Sequence, residues 1–157
     1  MMNTDFMKRA LVLAKQAFDD GEVPVGAVIV KDGVIIAEGR NRRESDKNAL
    51  AHAEIEAINS ACKKLGSWRL SECDMYVTLE PCPMCAGAII NARIKTLYYG
   101  AYDDKAGSVS SVISMFELPD NPSPAVKSGV LKEESARLLS DFFKNLRNHP
   151  KSLENKQ

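Results

Sequence analysis

Leu50-Ala51-His52-Ala53-Glu54 and, about 30 residues later, Leu79-Glu80-Pro81-Cys82-Pro83-Met84-Cys85 are the two stretches from which the fold and chemistry of this 157-residue chain are read. They supply one imidazole, a carboxylate two places after it, and two thiols spaced three apart. Two sulfurs and one nitrogen suit zinc, which imposes no geometry of its own and accepts mixed thiolate and imidazole ligands. Three protein ligands leave a fourth tetrahedral position open for water, and Glu54 is the neighbouring group able to use it. Both stretches read as helix starts: Pro83 suits a first helical position, and free N–H groups there favour thiolates. Two helix N-termini are therefore expected to meet at one metal.

The other candidate ligands are excluded by reach. Cys62 lies ten residues after His52 on the same expected helix, roughly 15 Å along its axis. Cys73 precedes the apolar run Met75-Tyr76-Val77-Thr78-Leu79, so a strand about 20 Å long separates it from Cys82. His149 stands in a polar C-terminal stretch that could fold back, which keeps a closed structural zinc site as an alternative. A zinc ion with two thiolates and a neutral imidazole is formally neutral, so it acidifies water less than an all-histidine site would. Glu54 supplies the missing basicity, and a carboxylate that takes a water proton and passes it on is what hydrolytic deamination needs.

Working outward, Thr4-Asp5 is expected to cap an amphipathic helix running to about Asp19 and closed by Gly21. The runs Val23–Val30 and Val34–Gly39 flank Lys31-Asp32-Gly33, which predicts a hairpin of two strands. A polar loop over Arg40–Asn48 leads into the His52 helix, which extends to about Leu65, and a strand over Met75–Leu79 feeds a second helix over Pro83–Ala92. Thr96–Gly100 reads as a further strand, making a βαβ unit with a parallel crossover. Asp103–Phe116 is rich in glycine and serine, Leu118–Pro124 is a loop, and Leu131–Asn148 is a final helix with Leu138, Leu139, Phe142, Phe143 and Leu146 on or near one face. The order αββαβαβ, followed by a mixed tail and a helix, predicts an α/β fold with a central mixed sheet between helices and the metal helices at strand ends.

Apolar residues make up 45% of the chain, which suits a single domain over residues 1–150 with a polar tail over 151–157. Four cysteines, two of them assigned to metal, do not make a disulfide framework. With no leader pattern and no apolar run of roughly 18 residues, the cytoplasm is the expected compartment and a membrane is not an expected partner. Net charge is zero and the pI about 6.7, so a nucleic-acid partner would have to be held by a local patch.

His52-Ala53-Glu54 with Pro81-Cys82-Pro83-Met84-Cys85 resembles the signature of the zinc nucleobase deaminases. Glu22-Val23-Pro24-Val25-Gly26-Ala27-Val28, Val77-Thr78-Leu79-Glu80, Met84-Cys85-Ala86-Gly87-Ala88-Ile89 and Gly100-Ala101-Tyr102-Asp103-Asp104-Lys105 are similar to bacterial tRNA-specific adenosine deaminases, over roughly Phe6–Phe143. The resemblance implies a cytidine-deaminase-like fold, a three-layer α-β-α sandwich assembled as a homodimer, with one Zn²⁺ per subunit. It implies conversion of adenosine to inosine at the wobble position of a tRNA anticodon loop. His52, Cys82 and Cys85 would be metal ligands, Glu54 the proton shuttle and Asn41 a contact to the flipped nucleotide. Val25, Ala53 and Leu79 would line its pocket, with Asp103, Lys105, Phe142 and Phe143 near the anticodon loop. The chain departs from the family pattern at Asn48-Ala49-Leu50 and at Gly107-Ser108-Val109-Ser110-Ser111, both in expected substrate-facing loops.

Each feature also has a structural interpretation. Asn41 could cap the loop after the second strand, Phe142 and Phe143 could be core, Arg40, Arg42, Arg43 and Lys105 could form a solvated face, and Trp68 is expected to be packing. Cys-x-x-Cys by itself could be a redox pair. A free-base or nucleotide deaminase, guanine deaminase being nearest, is the enzymatic alternative, and a riboflavin-pathway deaminase would need a reductase domain for which 157 residues leave no room. A non-catalytic zinc-stabilised RNA-binding module is the alternative from a different class; Glu54 counts against it, because a structural site has no use for a carboxylate that binds no metal.

Overall fold

A computed structural model of the protein describes residues 3–149; the expected tail over 151–157 lies outside them. The elements are α1 (Asn3–Asp19), β1 (Gly26–Lys31), β2 (Val34–Arg40), α2 (Ala53–Leu65), β3 (Cys73–Leu79), α3 (Pro83–Ala92), β4 (Thr96–Ala101), β5 (Ala125–Lys127) and α4 (Lys132–Asn148), with one 3-10 turn at Met115–Glu117. The sheet order is β2-β1-β3-β4-β5. β1 pairs antiparallel with both β2 and β3, whereas β3–β4 and β4–β5 are parallel, so the sheet is mixed as expected.

Strand alternation builds two cores. Ala27 and Ile29 of β1, Met75 and Val77 of β3, and Leu97 and Tyr99 of β4 face one side, where Ala53, Ala57, Ala61 and Ile89 of α2 and α3 cover them. Val28, Val30, Tyr76 and Tyr98, one residue out of step, face Phe6, Met7, Ala10 and Leu13 of α1. α4 packs on this second side against β4, β3 and α1. Helices on both faces of the sheet complete the three layers.

Several expectations shift locally. Thr4 and Asp5 lie inside the first turn of α1 and do not cap it. β1 begins at Gly26 because Pro24 has no N–H to donate and the Val25 N–H bonds back to the Val23 carbonyl at 2.9 Å. The hairpin is a two-residue turn in which Asp32 (φ 51°) and Gly33 (φ 75°) are both left-handed, matching the twist of the strands. β5 was not anticipated; three exposed residues carry no periodicity to read. Trp68 is not packed in a core: it is 52% exposed, with the Arg69 guanidinium 4.3 Å from its ring centre.

Candidate active site

α2 and α3 bring the two motifs together. His52 is the N-cap residue of α2 and Cys82 that of α3, both extended, and neither makes a side-chain capping bond. Their side chains are therefore free to turn toward each other. α2 can sit close to the sheet because β2 presents Gly39: a Cβ there would meet the Ala53 carbonyl oxygen at 2.2 Å and the Ala57 nitrogen at 2.7 Å. Asn41 fixes the same helix start from the other side. Its Oδ1 accepts the Ala53 N–H at 2.9 Å and its Nδ2 donates to the Val23 carbonyl at 3.0 Å.

His52 Nδ1 lies 3.6 Å from Cys82 Sγ and 3.5 Å from Cys85 Sγ, and the three donor atoms all fall within 4.8 Å of one another. Zinc bonds of about 2.3 Å to sulfur and 2.0 Å to nitrogen at the tetrahedral angle would separate S from N by roughly 3.5 Å. The donor set and its spacing thus fit zinc. No other such group occurs among the described residues. Cys62 sits within α2, Cys73 opens β3 and His149 follows α4, so none of them closes the site.

The two thiols divide one charge between them. The Cys85 S–H donates to Cys82, and this bond, with help from His52, holds the Cys82 thiol down at about 4. The same bond, followed by burial, pushes Cys85 far above the ordinary thiol range. His52 is raised, first by its bond to Cys82. Glu54 stands behind them, 4% exposed, and burial raises its carboxyl to about 7. A buried carboxyl beside these three donors is suited to taking up and returning a proton.

The remaining expected residues separate into two groups. Leu79, Asp103, Lys105 and Phe143 line one cavity of about 430 Å³, shared with Val23, Tyr102, Asp104 and Leu139. Val25, Ala53 and Phe142 are buried in the body of the protein. Phe142 packs edge-to-face on Phe18 at 5.7 Å, while Phe143 is 44% exposed. Arg40 is engaged internally by Gln16 and Asp20, and Arg42 by Asp46.

Two buried carboxylates escaped the sequence reading. Glu22 accepts the Glu44 and Ser45 N–H groups at 3.1 and 2.8 Å and the Ser45 hydroxyl at 2.7 Å, and so holds the loop after Asn41. Glu80 holds the 103–111 loop. Burial alone would raise its carboxyl, but hydrogen bonds from Ser111, Ser110 and Asp103 outweigh it and keep the group below the ordinary range. The only sequence signal for either was position, beside Val23-Pro24-Val25 and immediately before Pro81-Cys82.

The profile of the MafB19-like deaminase family matches residues 1–147. The tRNA-specific adenosine deaminase of Bacillus subtilis (strain 168) is 47% identical over 148 residues, 94% of this chain and 92% of that protein. A solved structure from work on A-to-I editing by tRNA:A34 deaminases at the wobble position is 50% identical, with a TM-score of 0.85 over 87% of this chain and all of that one. Guanine deaminase from Bacillus subtilis is more distant, 38% identical with a TM-score of 0.63 over 75% of this chain and 86% of that one. The fold is thus the cytidine-deaminase-like one, with a group of one imidazole and two thiols that could hold a metal, and the chain belongs to the MafB19-like deaminase family, among the tRNA-specific adenosine deaminases.

Proposed function

We propose that this protein hydrolytically deaminates adenosine to inosine at the wobble position of a tRNA anticodon. The observation that carries the proposal is the convergence of His52, Cys82 and Cys85 at zinc-compatible separations with the buried Glu54 beside them. His52, Cys82 and Cys85 would hold one Zn²⁺ per subunit. The chemistry a zinc held there supplies is Lewis acidity toward water, which brings hydrolysis within reach of neutral pH.

Glu54 would take a proton from the water and deliver it to ring N1 of adenine, then carry the remaining proton of the new C6 hydroxyl to the departing amine as C6=O forms. One C6–O bond forms, the C6–N bond breaks, and ammonia leaves. Asn41 orients the start of α2 and thereby His52, and would contact the flipped nucleotide. Val25, Ala53 and Leu79 would shape the base pocket from around the metal. Asp103, Lys105 and Phe143 would meet the neighbouring nucleotides of the loop, a role supported by their shared cavity. Phe142 would serve only by anchoring α4.

The protein is proposed to work in the cytoplasm, as one domain over residues 1–150 and as a homodimer. No helix among the described residues is long and apolar enough to cross a membrane. Exposed Val112, Ile113 and Leu118 in the segment beside α3 supply apolar surface for a second subunit to cover.

The test is to follow ammonia and base identity with zinc-loaded protein on an anticodon stem-loop carrying a wobble adenosine and, in parallel, on free guanine, adenine and cytosine. Inosine in the stem-loop with inert free bases is expected. Turnover of guanine with an inert stem-loop would overturn the substrate; silence on every substrate with zinc bound would point to a binding module.

A further inference from the structure

Glu80 follows β3 directly and precedes Pro81-Cys82, and it is 2% exposed. Its Oε2 accepts the N–H groups of Val109, Ser110 and Ser111 at 3.1, 2.8 and 3.0 Å. Its Oε1 accepts the Asp103 N–H at 3.2 Å and the Ser111 hydroxyl. The main chain repeats the connection, with the Glu80 N–H donating to the Ala101 carbonyl and the Ser108 N–H to the Pro81 carbonyl, both at 2.9 Å. Gly107 lets the loop close over the carboxylate, since a Cβ there would stand 2.5 Å from Glu80 Cδ and from the Asp103 carbonyl oxygen.

Five donors on one buried carboxylate make a strong, charge-assisted knot. Together with those two main-chain bonds, the knot keeps two parts of the molecule in register. One is the start of α3, which carries Cys82 and Cys85. The other is the loop that brings Asp103 and Lys105 to the 430 Å³ cavity. We propose that Glu80 is a positioning residue for the nucleic-acid substrate: its buried carboxylate holds the 103–111 loop at a fixed place relative to the Cys82/Cys85 helix start, and so sets affinity for the RNA around the reacting base and not the chemical step. For its kinetic consequence this rests on the deamination proposed above; for the loop itself it does not.

The test compares wild type with Glu80→Gln, which keeps the shape but turns one acceptor into an NH₂ group facing donors. Three quantities are read on zinc-loaded protein: bound zinc, kcat and KM for the anticodon stem-loop, and hydrogen exchange at the amides of Asp103 and Val109–Ser111. The expected result is unchanged zinc, kcat within about threefold, KM raised about tenfold to a hundredfold, and faster exchange confined to those amides. Loosened amides with unchanged KM would reduce Glu80 to a structural role, and unchanged exchange would refute the knot outright.

If Glu80→Gln does not fold, Gly107→Ala makes the same test, because it pushes the loop off the carboxylate while leaving the charge in place; an unchanged KM there overturns the proposal. A wild-type protein inert on the stem-loop would show separately that the substrate is wrong. Exchange alone then decides, and protected amides in Glu80→Gln would sink the loop-holding role.

Discussion

Replacing Glu54 by Gln should stabilise the chelator-treated protein at alkaline pH and, with zinc restored, cripple turnover. The carboxyl is almost wholly buried, and burial holds it at about 7 against an ordinary value of 4.5. Between those two values the folded metal-free protein keeps a proton that the unfolded chain has released. Stability therefore declines as pH rises across that interval and stays reduced above it. At about 1.36 kcal/mol per pH unit, the ionised carboxylate costs the fold roughly 3 kcal/mol at pH 8.

Glutamine has no proton to lose. Denaturant unfolding of chelator-treated protein should thus show wild type and Glu54→Gln nearly equal at pH 4 and the variant ahead by up to about 3 kcal/mol at pH 8. An amide NH₂ left facing the Cys85 sulfur would take back part of that gain, so the figure is an upper bound. Reloaded with zinc, the variant should bind the metal as wild type does and lose turnover by about 10²-fold to 10⁴-fold. A variant no more stable than wild type at pH 8 would refute the burial reasoning. Retained turnover would refute the proton-shuttle role.

Gly39→Ala should destabilise the protein by about 2 kcal/mol or more, because its Cβ would meet the α2 backbone at 2.2 Å; a zinc titration should show weaker binding as His52 is displaced, and unchanged affinity would mean that α2 can move without the site. Phe142→Ala should cost about 3 kcal/mol in denaturant unfolding. Phe143→Ala should cost less than about 0.5 kcal/mol yet raise KM for the stem-loop, and equal stability losses would contradict their assigned places in α4. Asn41→Ala leaves the Ala53 N–H and the Val23 carbonyl without their side-chain partners, for about 1 to 3 kcal/mol. Asn41→Asp, which keeps the acceptor for Ala53, should recover more of the stability than of the activity; full recovery of both would leave Asn41 a structural role only.

What could be read from the sequence was what is encoded locally. The Asp32-Gly33 turn, Pro83 at the start of α3 and the apolar runs of β3 and β4 each act within a few residues and stand where they were expected, while β1 starts three residues later than its run. The metal group was legible for a different reason. Only a few residue types bind zinc, and helix rise by itself put Cys62 out of reach. β5 lacked such a signal, since three exposed residues gain their order only from the parallel edge of β4. Phe142 and Phe143 share the helix pattern but not the same fate, because which of two adjacent aromatics turns inward depends on where Phe18 of α1 lies. The two carboxylate knots were the least legible of all. A buried Glu reads as a surface charge until its donors are known, and the donors to Glu80 come from residues 23 to 31 positions away. Once those donors are in place the burial is explained: with its lone pairs satisfied by amides, the carboxylate stays ionised inside the fold and ties a loop with no secondary structure of its own to the strand end that carries the thiols.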